Sequence, residues 1–201
     1  MTRRTSADSP TPVELSTWGQ LLQHYDTHHR HKRQDELDWF ATQTTFRGAI
    51  RAVARAEGRR GERLDHQRRI RRGAVPEAEV ALMKSASLLR RVASFAELLQ
   101  AIEITLRPIF GIGELYCYDA ALRLGCYLSL APEYVYLHAG TRKGARAFAT
   151  LRGKISLLPR EAFPEELRNR SAGEIENILC VYENIFAKGL LPGALAVHAS
   201  T

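Results

Sequence analysis

Apolar residues recur along this chain at the three- and four-residue spacing of amphipathic helices, with polar residues filling the positions between them. Leu15, Trp18, Leu21, Leu22 and Tyr25 mark one such face from Val13 onward. Leu37, Phe40, Phe46, Ile50 and Val53 mark the buried side of a second helix over residues 34–57, and Gly58-Arg59-Arg60-Gly61 then breaks the pattern. A third helix begins after Pro76, with Glu77 and Glu79 in its first turn, where the helix dipole favours acids. It carries Val80, Leu82, Met83, Leu88 and Leu89 and ends near Arg90-Arg91. Ser94-Phe95-Ala96-Glu97 has capping-box spacing and opens a fourth helix through Leu106. A helix over 114–130 follows, stopped by Ala131-Pro132. Residues 132–137, aromatic and β-branched, fit either an extended connector or a helical turn, and 140–151 predict another helix. Ser171-Ala172-Gly173-Glu174 is a second capping box, starting a helix through Phe186 with Ile175, Ile178, Leu179, Val181, Tyr182 and Ile185 on its apolar side.

No strand-like alternation persists and no internal repeat is present, so the expected fold is all-α. Residues 1–12, rich in Ser, Thr and Pro, are expected to form a disordered leader, 13–187 an all-α domain, and 188–201 a loose tail of Gly, Ala and Ser.

The chain has 201 residues, 45% of them hydrophobic and 25% charged, which suits an ordinary globular protein. Charge shifts the picture. Lys and Arg number 29 against 22 Asp and Glu, a net +7, which favours a polyanionic partner and above all nucleic acid. The densest cluster is Arg59, Arg60, Arg63, Arg68, Arg69, Arg71 and Arg72, arginine throughout. Guanidinium forks bond phosphate in two places at once, so the segment suits contacts to a DNA or RNA backbone; a solvated loop, or a network with Glu57, Glu62 and Asp65, is the alternative. Cys117, Cys126 and Cys180 lie far from any CxxC spacing and read as free thiols in a reducing compartment. No stretch reaches the apolar length of a membrane span, and Met1-Thr2-Arg3-Arg4-Thr5-Ser6 has no apolar run behind it, so a cytoplasmic location and no membrane partner are expected. His24, His28, His29 and His31, with Asp26 and Asp35, invite a metal reading. They adjoin Arg30, Lys32 and Arg33 and lack HExxH spacing, so a solvated or nucleic-acid-facing patch is expected instead, with no metal and no cofactor.

Leu106-Arg107-Pro108-Ile109-Phe110-Gly111-Ile112-Gly113 lies between two predicted helices. Gly111 would supply the positive φ of a tight turn, and Gly113 would let the backbone approach a phosphate at the start of the next helix. Ile109, Phe110 and Ile112 would anchor the hairpin between its helices, with the small Cys117 allowing close packing. The pattern of apolar residue, Gly, apolar residue, Gly and a small residue four positions on resembles the helix-hairpin-helix family, over about 94–150. The resemblance implies DNA-backbone binding and, through the helix-hairpin-helix DNA glycosylases, base excision. Those glycosylases place an essential Asp after an apolar connector, where this chain has His138, and their bifunctional members place a Lys where it has Leu115. A divergent, glycosylase-like scaffold without the standard catalytic residues is the implied relative.

Beside that resemblance stand the residues themselves. Asp119 and Arg123, at i,i+4, suit a surface ion pair, or Asp119 could face His138 as an acid/base couple. Tyr116 and Tyr136 suit stacking on an extruded base or ordinary core packing. Thr141, Arg142 and Lys143, after His138, suit a phosphate at the opening of a helix, or simply a solvated basic first turn. The leading expectation is nucleic-acid binding, with DNA the favoured partner, through the hairpin and the arginine-rich segment. A DNA-processing enzyme using His138 and Asp119 and a non-catalytic protein-interaction module are the alternatives, and the sequence does not fix the oligomeric state.

Overall fold

The computed structural model describes residues 15–64, 70–71, 73–149, 151, 155–189 and 191, and they are mostly helical, as expected. Helix α1 (Trp18–Tyr25) opens on a capping box that the apolar spacing does not reveal: Thr17 accepts from the Gln20 amide, and the Gln20 side chain reaches back. A π-helical turn, Asp26–Arg30, carries the chain directly into α2 (His31–Ala41).

The single helix expected over 34–57 is two. Thr45 adopts an extended conformation and its hydroxyl accepts from the Gly48 amide at 3.0 Å, so α3 (Phe46–Arg55) starts afresh. A threonine able to cap a helix competes with the periodicity running through it. Helices α4 (Ala74–Lys84), α5 (Ala86–Leu89) and α6 (Phe95–Leu106) follow, Ser94 capping the last of these through the Glu97 amide. Helix α7 (Glu114–Leu128) ends on Ser129 in the left-handed region, φ 59°.

The connector at 132–137 resolves as extended: β1 (Val135–Tyr136) pairs antiparallel with β2 (Leu157–Leu158), Val135 opposite Leu158. Between them α8 (Ala139–Ala145) is shorter than the helix expected over 140–151. A 3₁₀ turn (Arg160–Ala162) and α9 (Glu165–Arg168) lead to α10 (Ala172–Val181), opened by the Ser171–Glu174 capping box. Tyr182 breaks the expected helix through Phe186 and begins α11 (Glu183–Ala187).

These elements form two compact units. One is His31–Glu133; the other joins the chain up to Arg30 with the chain from Tyr134 onward. The division falls inside the span expected from sequence to be one helical domain, because the segments on either side of the central unit share a core across the whole insertion. That shared core includes Trp18, Leu21 and Tyr25 from α1 with Val135, Phe163, Ile178, Leu179 and Phe186.

In the His31–Glu133 unit α7 is the axis. Each residue from Tyr116 to Gly125 is buried, as befits a helix packed by α2, α3 and α6 on its different sides. Small residues make that possible. A Cβ on Gly125 would lie 2.5 Å from the Leu130 carbonyl oxygen, whose own amide closes the helix end on Gly125 O at 2.8 Å. Among the described residues, no helix is long and apolar enough to cross a membrane.

Candidate nucleic-acid interface

The link between α6 and α7 is two successive turns, with the Ile109 amide donating to Leu106 O at 2.9 Å and the Ile112 amide to Ile109 O at 3.1 Å. Gly111 has φ +92°, a conformation L side chains rarely adopt, so it performs the role its place in the sequence suggests. Gly113 caps α7 in an extended conformation with no side-chain bond, and a Cβ placed there would meet nothing within 4 Å. Ile112 is the buried anchor of the turn, but Phe110, expected beside it, is 80% exposed. Ile109, the third expected anchor, is half-buried.

Part of the arginine-rich segment reaches this tip. The Arg71 guanidinium carbon lies 5.6 Å from the Phe110 ring centroid, and a Cβ on Gly111 would touch the Arg71 side chain at 3.5 Å. Arg59 and Arg60 are exposed on a loop closed by a bridge between Glu57 and Arg63, where Glu62 accepts from the Arg60 amide at 2.8 Å. Arg68, Arg69 and Arg72 lie outside the described residues. Of the expected network with acids, Asp65 also lies outside the described residues; Glu62 meets the Arg60 backbone, and Arg71 meets Glu77 at 3.2 Å, while the side chains of Arg59 and Arg60 are exposed.

Sequence reasoning passes over Arg47, Arg51 and Arg55, which leave α3 as an exposed ladder at i, i+4, i+8. The signal is present in the sequence as Arg-x3-Arg-x3-Arg-x3-Arg, ending on Arg59. Helical rise sets Arg47 and Arg55 about 12 Å apart along the axis. Arg51 and Arg55 share one carboxylate, Glu79, at 3.2 and 2.8 Å, leaving a net positive charge on that face. The bond from Arg55 holds the Glu79 carboxyl below its usual range, and the same pairing raises Arg55.

Asp119 and Arg123 are not a surface pair: both are 2% exposed. They form a group of two cations and two anions with the half-buried Arg33 and Glu36 of α2. Arg123 donates to Glu36 at 2.9 Å and lies 3.6 Å from Asp119, while Arg33 lies 3.8 Å from Asp119 and 3.5 Å from Glu36. Tyr116 is buried too, and its hydroxyl donates to the Ala54 carbonyl, one of the last in α3. Stacking on an extruded base is therefore closed to it. Burial also raises its hydroxyl pKa, and pushes the thiols of Cys117 and Cys126 up to about 12 and about 11.

The second unit holds His138, at the N-terminus of α8, and it is 3% exposed. Its Nε2 lies 2.9 Å from Glu176 Oε1, the same oxygen that accepts from the fully buried Thr141 hydroxyl at 2.8 Å. The couple expected between Asp119 and His138 thus consists of two buried groups, each engaged by carboxylates or guanidiniums of its own unit. Arg142 is half-buried and donates to the carbonyls of Ile155 and Leu137, tying β1 to the chain before β2. Lys143 is exposed and bonds Asn184 at 2.6 Å and Glu183 at 3.2 Å. Thr141 and Arg142 accordingly brace the unit rather than facing outward. Tyr136, in β1 opposite Leu157, is half-buried.

His24, His28 and His29 cluster around the π-helical turn, His24 Nδ1 lying 2.7 Å from the Tyr182 hydroxyl and its ring 4.4 Å from that of His28. Among the described residues no group of His, Cys, Asp or Glu is placed to hold a metal ion. No protein-family model matches the sequence, and neither a curated protein nor a solved structure matches it.

Proposed function

We propose that the His31–Glu133 unit binds nucleic acid through its phosphate backbone, with little sequence preference. The observation that supports this most is that Arg47, Arg51 and Arg55 on α3 and Arg59 and Arg60 on the loop after it are all exposed, with Glu79 alone shared between Arg51 and Arg55. Guanidiniums fixed on a helix and a closed loop are suited to phosphate oxygens, and their counterions are released on binding. The open approach to Gly113 at the start of α7 fits the helix-hairpin-helix resemblance and adds a place for a phosphate at backbone amides. Neither Asp119 nor His138 enters this reading, since both side chains are buried.

Fluorescence anisotropy with a labelled DNA oligonucleotide, at salt between about 50 and 200 mM, tests it. The expected plot of log K against log salt is linear and steep, and the triple variant R47Q/R59Q/R60Q flattens the slope by about 0.9 for each duplex phosphate it leaves unneutralised. Gly113→Val should weaken binding without unfolding the protein, because the space its side chain enters is open. Absence of binding at the lowest salt, or a slope that the arginine variant leaves alone, would overturn the proposal.

A further inference from the structure

We infer that Phe110 is a stacking platform for an unpaired nucleobase, so that the arginine surface prefers single-stranded nucleic acid to an intact duplex. This rests on the nucleic-acid reading above and adds the kind of strand that is recognised. Three observations carry it. Phe110 is 80% exposed, more than Ile104 at 70% or Val80 at 54%, although aromatic rings are normally where a fold recovers most burial. The ring is not on a loose loop: it stands within the second of two successive hydrogen-bonded turns, between Ile109 and Ile112, beside Gly111 at φ +92° and buried Ile112. Finally, the ring carries a cation. Arg71 lies 5.6 Å from its centroid, so an aromatic surface and a phosphate-binding group are presented together at one tip.

That pairing is what a single strand requires. Its bases expose π-faces that a duplex keeps stacked, and its backbone needs a positive partner within one nucleotide of the base. Glu77, 3.2 Å from Arg71, leaves the pair solvent-exposed on both sides and able to open to a phosphate. An apolar protein surface would complement the ring but not Arg71, and Arg59, Arg60 and Arg71 would repel the same cations on a second copy of this chain.

The test compares an oligo-thymidine of about 20 nucleotides with a duplex of equal length, using the full chain and the variants F110A, F110W and R59Q/R60Q. Phe110 is exposed, so F110A should fold, which its thermal melt checks. The expected result is a drop of about tenfold in single-strand affinity for F110A, recovery in F110W, and no change on duplex. The salt slope should stay the same for F110A and flatten for R59Q/R60Q. Equal drops on both ligands, no drop on either, or a change of sedimentation in F110A showing that a second copy covers the ring, would each overturn the inference while leaving backbone binding standing. If the unaltered protein binds neither ligand, the underlying reading fails instead.

Discussion

Replacing Asp119 by asparagine should be among the most damaging near-isosteric changes available to the His31–Glu133 unit. The side chain keeps its size, so only the charge is removed. Arg123 lies 3.6 Å and Arg33 3.8 Å from the carboxylate, and at an effective dielectric of about 20 each pair has a gross attraction of roughly 4–5 kcal/mol. Much of that is offset, because the amide no longer suffers the desolvation of a buried anion. What remains is the penalty of leaving the buried Arg123 and the half-buried Arg33 facing the single anion Glu36, on the order of 3 kcal/mol. Urea unfolding followed by circular dichroism reads this directly, as a lower midpoint with an unchanged slope. The second substitution decides the mechanism. In D119N/R123M the extra cation is gone as well, leaving Arg33 with Glu36, so the double variant should be more stable than D119N alone despite carrying two changes. A D119N effect below about 1 kcal/mol, or a double variant less stable than the single, would refute the idea that charge balance holds α2 on α7.

Three further outcomes follow from the packing. Gly125→Ala and Gly144→Ala should each destabilise, since their Cβ atoms would lie 2.5 Å from the Leu130 and Leu179 carbonyl oxygens; overpacking of about 1–3 kcal/mol exceeds the gain in helix propensity, and a rise in melting temperature for either would contradict the geometry. Tyr116→Phe removes the hydroxyl that satisfies Ala54 O at the end of α3 and should cost about 1–3 kcal/mol in urea unfolding. Stability should also fall between pH 9 and pH 12. The folded thiols of Cys117 and Cys126 hold their protons to about 12 and about 11 while the unfolded thiols release them near 9, so the unfolded state binds fewer protons across that window. Cys117→Ala should flatten the decline, measured as urea midpoints across the range, and an unchanged pH profile would remove burial of this thiol as its cause.

Helix content was legible because it rests on periodicity, and periodicity survives in the apolar positions of α6, α7 and α10. Boundaries were less so. Thr45 and Tyr182 end or restart helices through local geometry that competes with an uninterrupted apolar face. Phe40 and Phe46 read as one helical stripe although they belong to two helices, since both are buried in the same unit. The two-unit organisation was illegible for another reason. It depends on α1 packing against residues more than a hundred positions away, and no local pattern records such a distance.

The site divides along a different line, because arginine answers a carboxylate and a phosphate with the same fork. Spacing showed Asp119 and Arg123 on one face of a helix but not that the face turns inward, and the pair is buried because α2 brings Arg33 and Glu36 to complete it. Arg142 shows the same ambiguity in another form: a basic residue at a helix start, apt for an anion, that is satisfied by two carbonyls of its own unit. Removing such structural arginines leaves Arg47, Arg59 and Arg60, with Arg71 at the hairpin tip, as cations whose position the fold fixes without neutralising all of them. A surface of this kind carries a standing electrostatic penalty in the free protein, most of it screened by salt. Binding a polyanion relieves that penalty, and so the salt dependence of binding and of stability should be linked: raising salt should weaken nucleic-acid binding while stabilising the free protein.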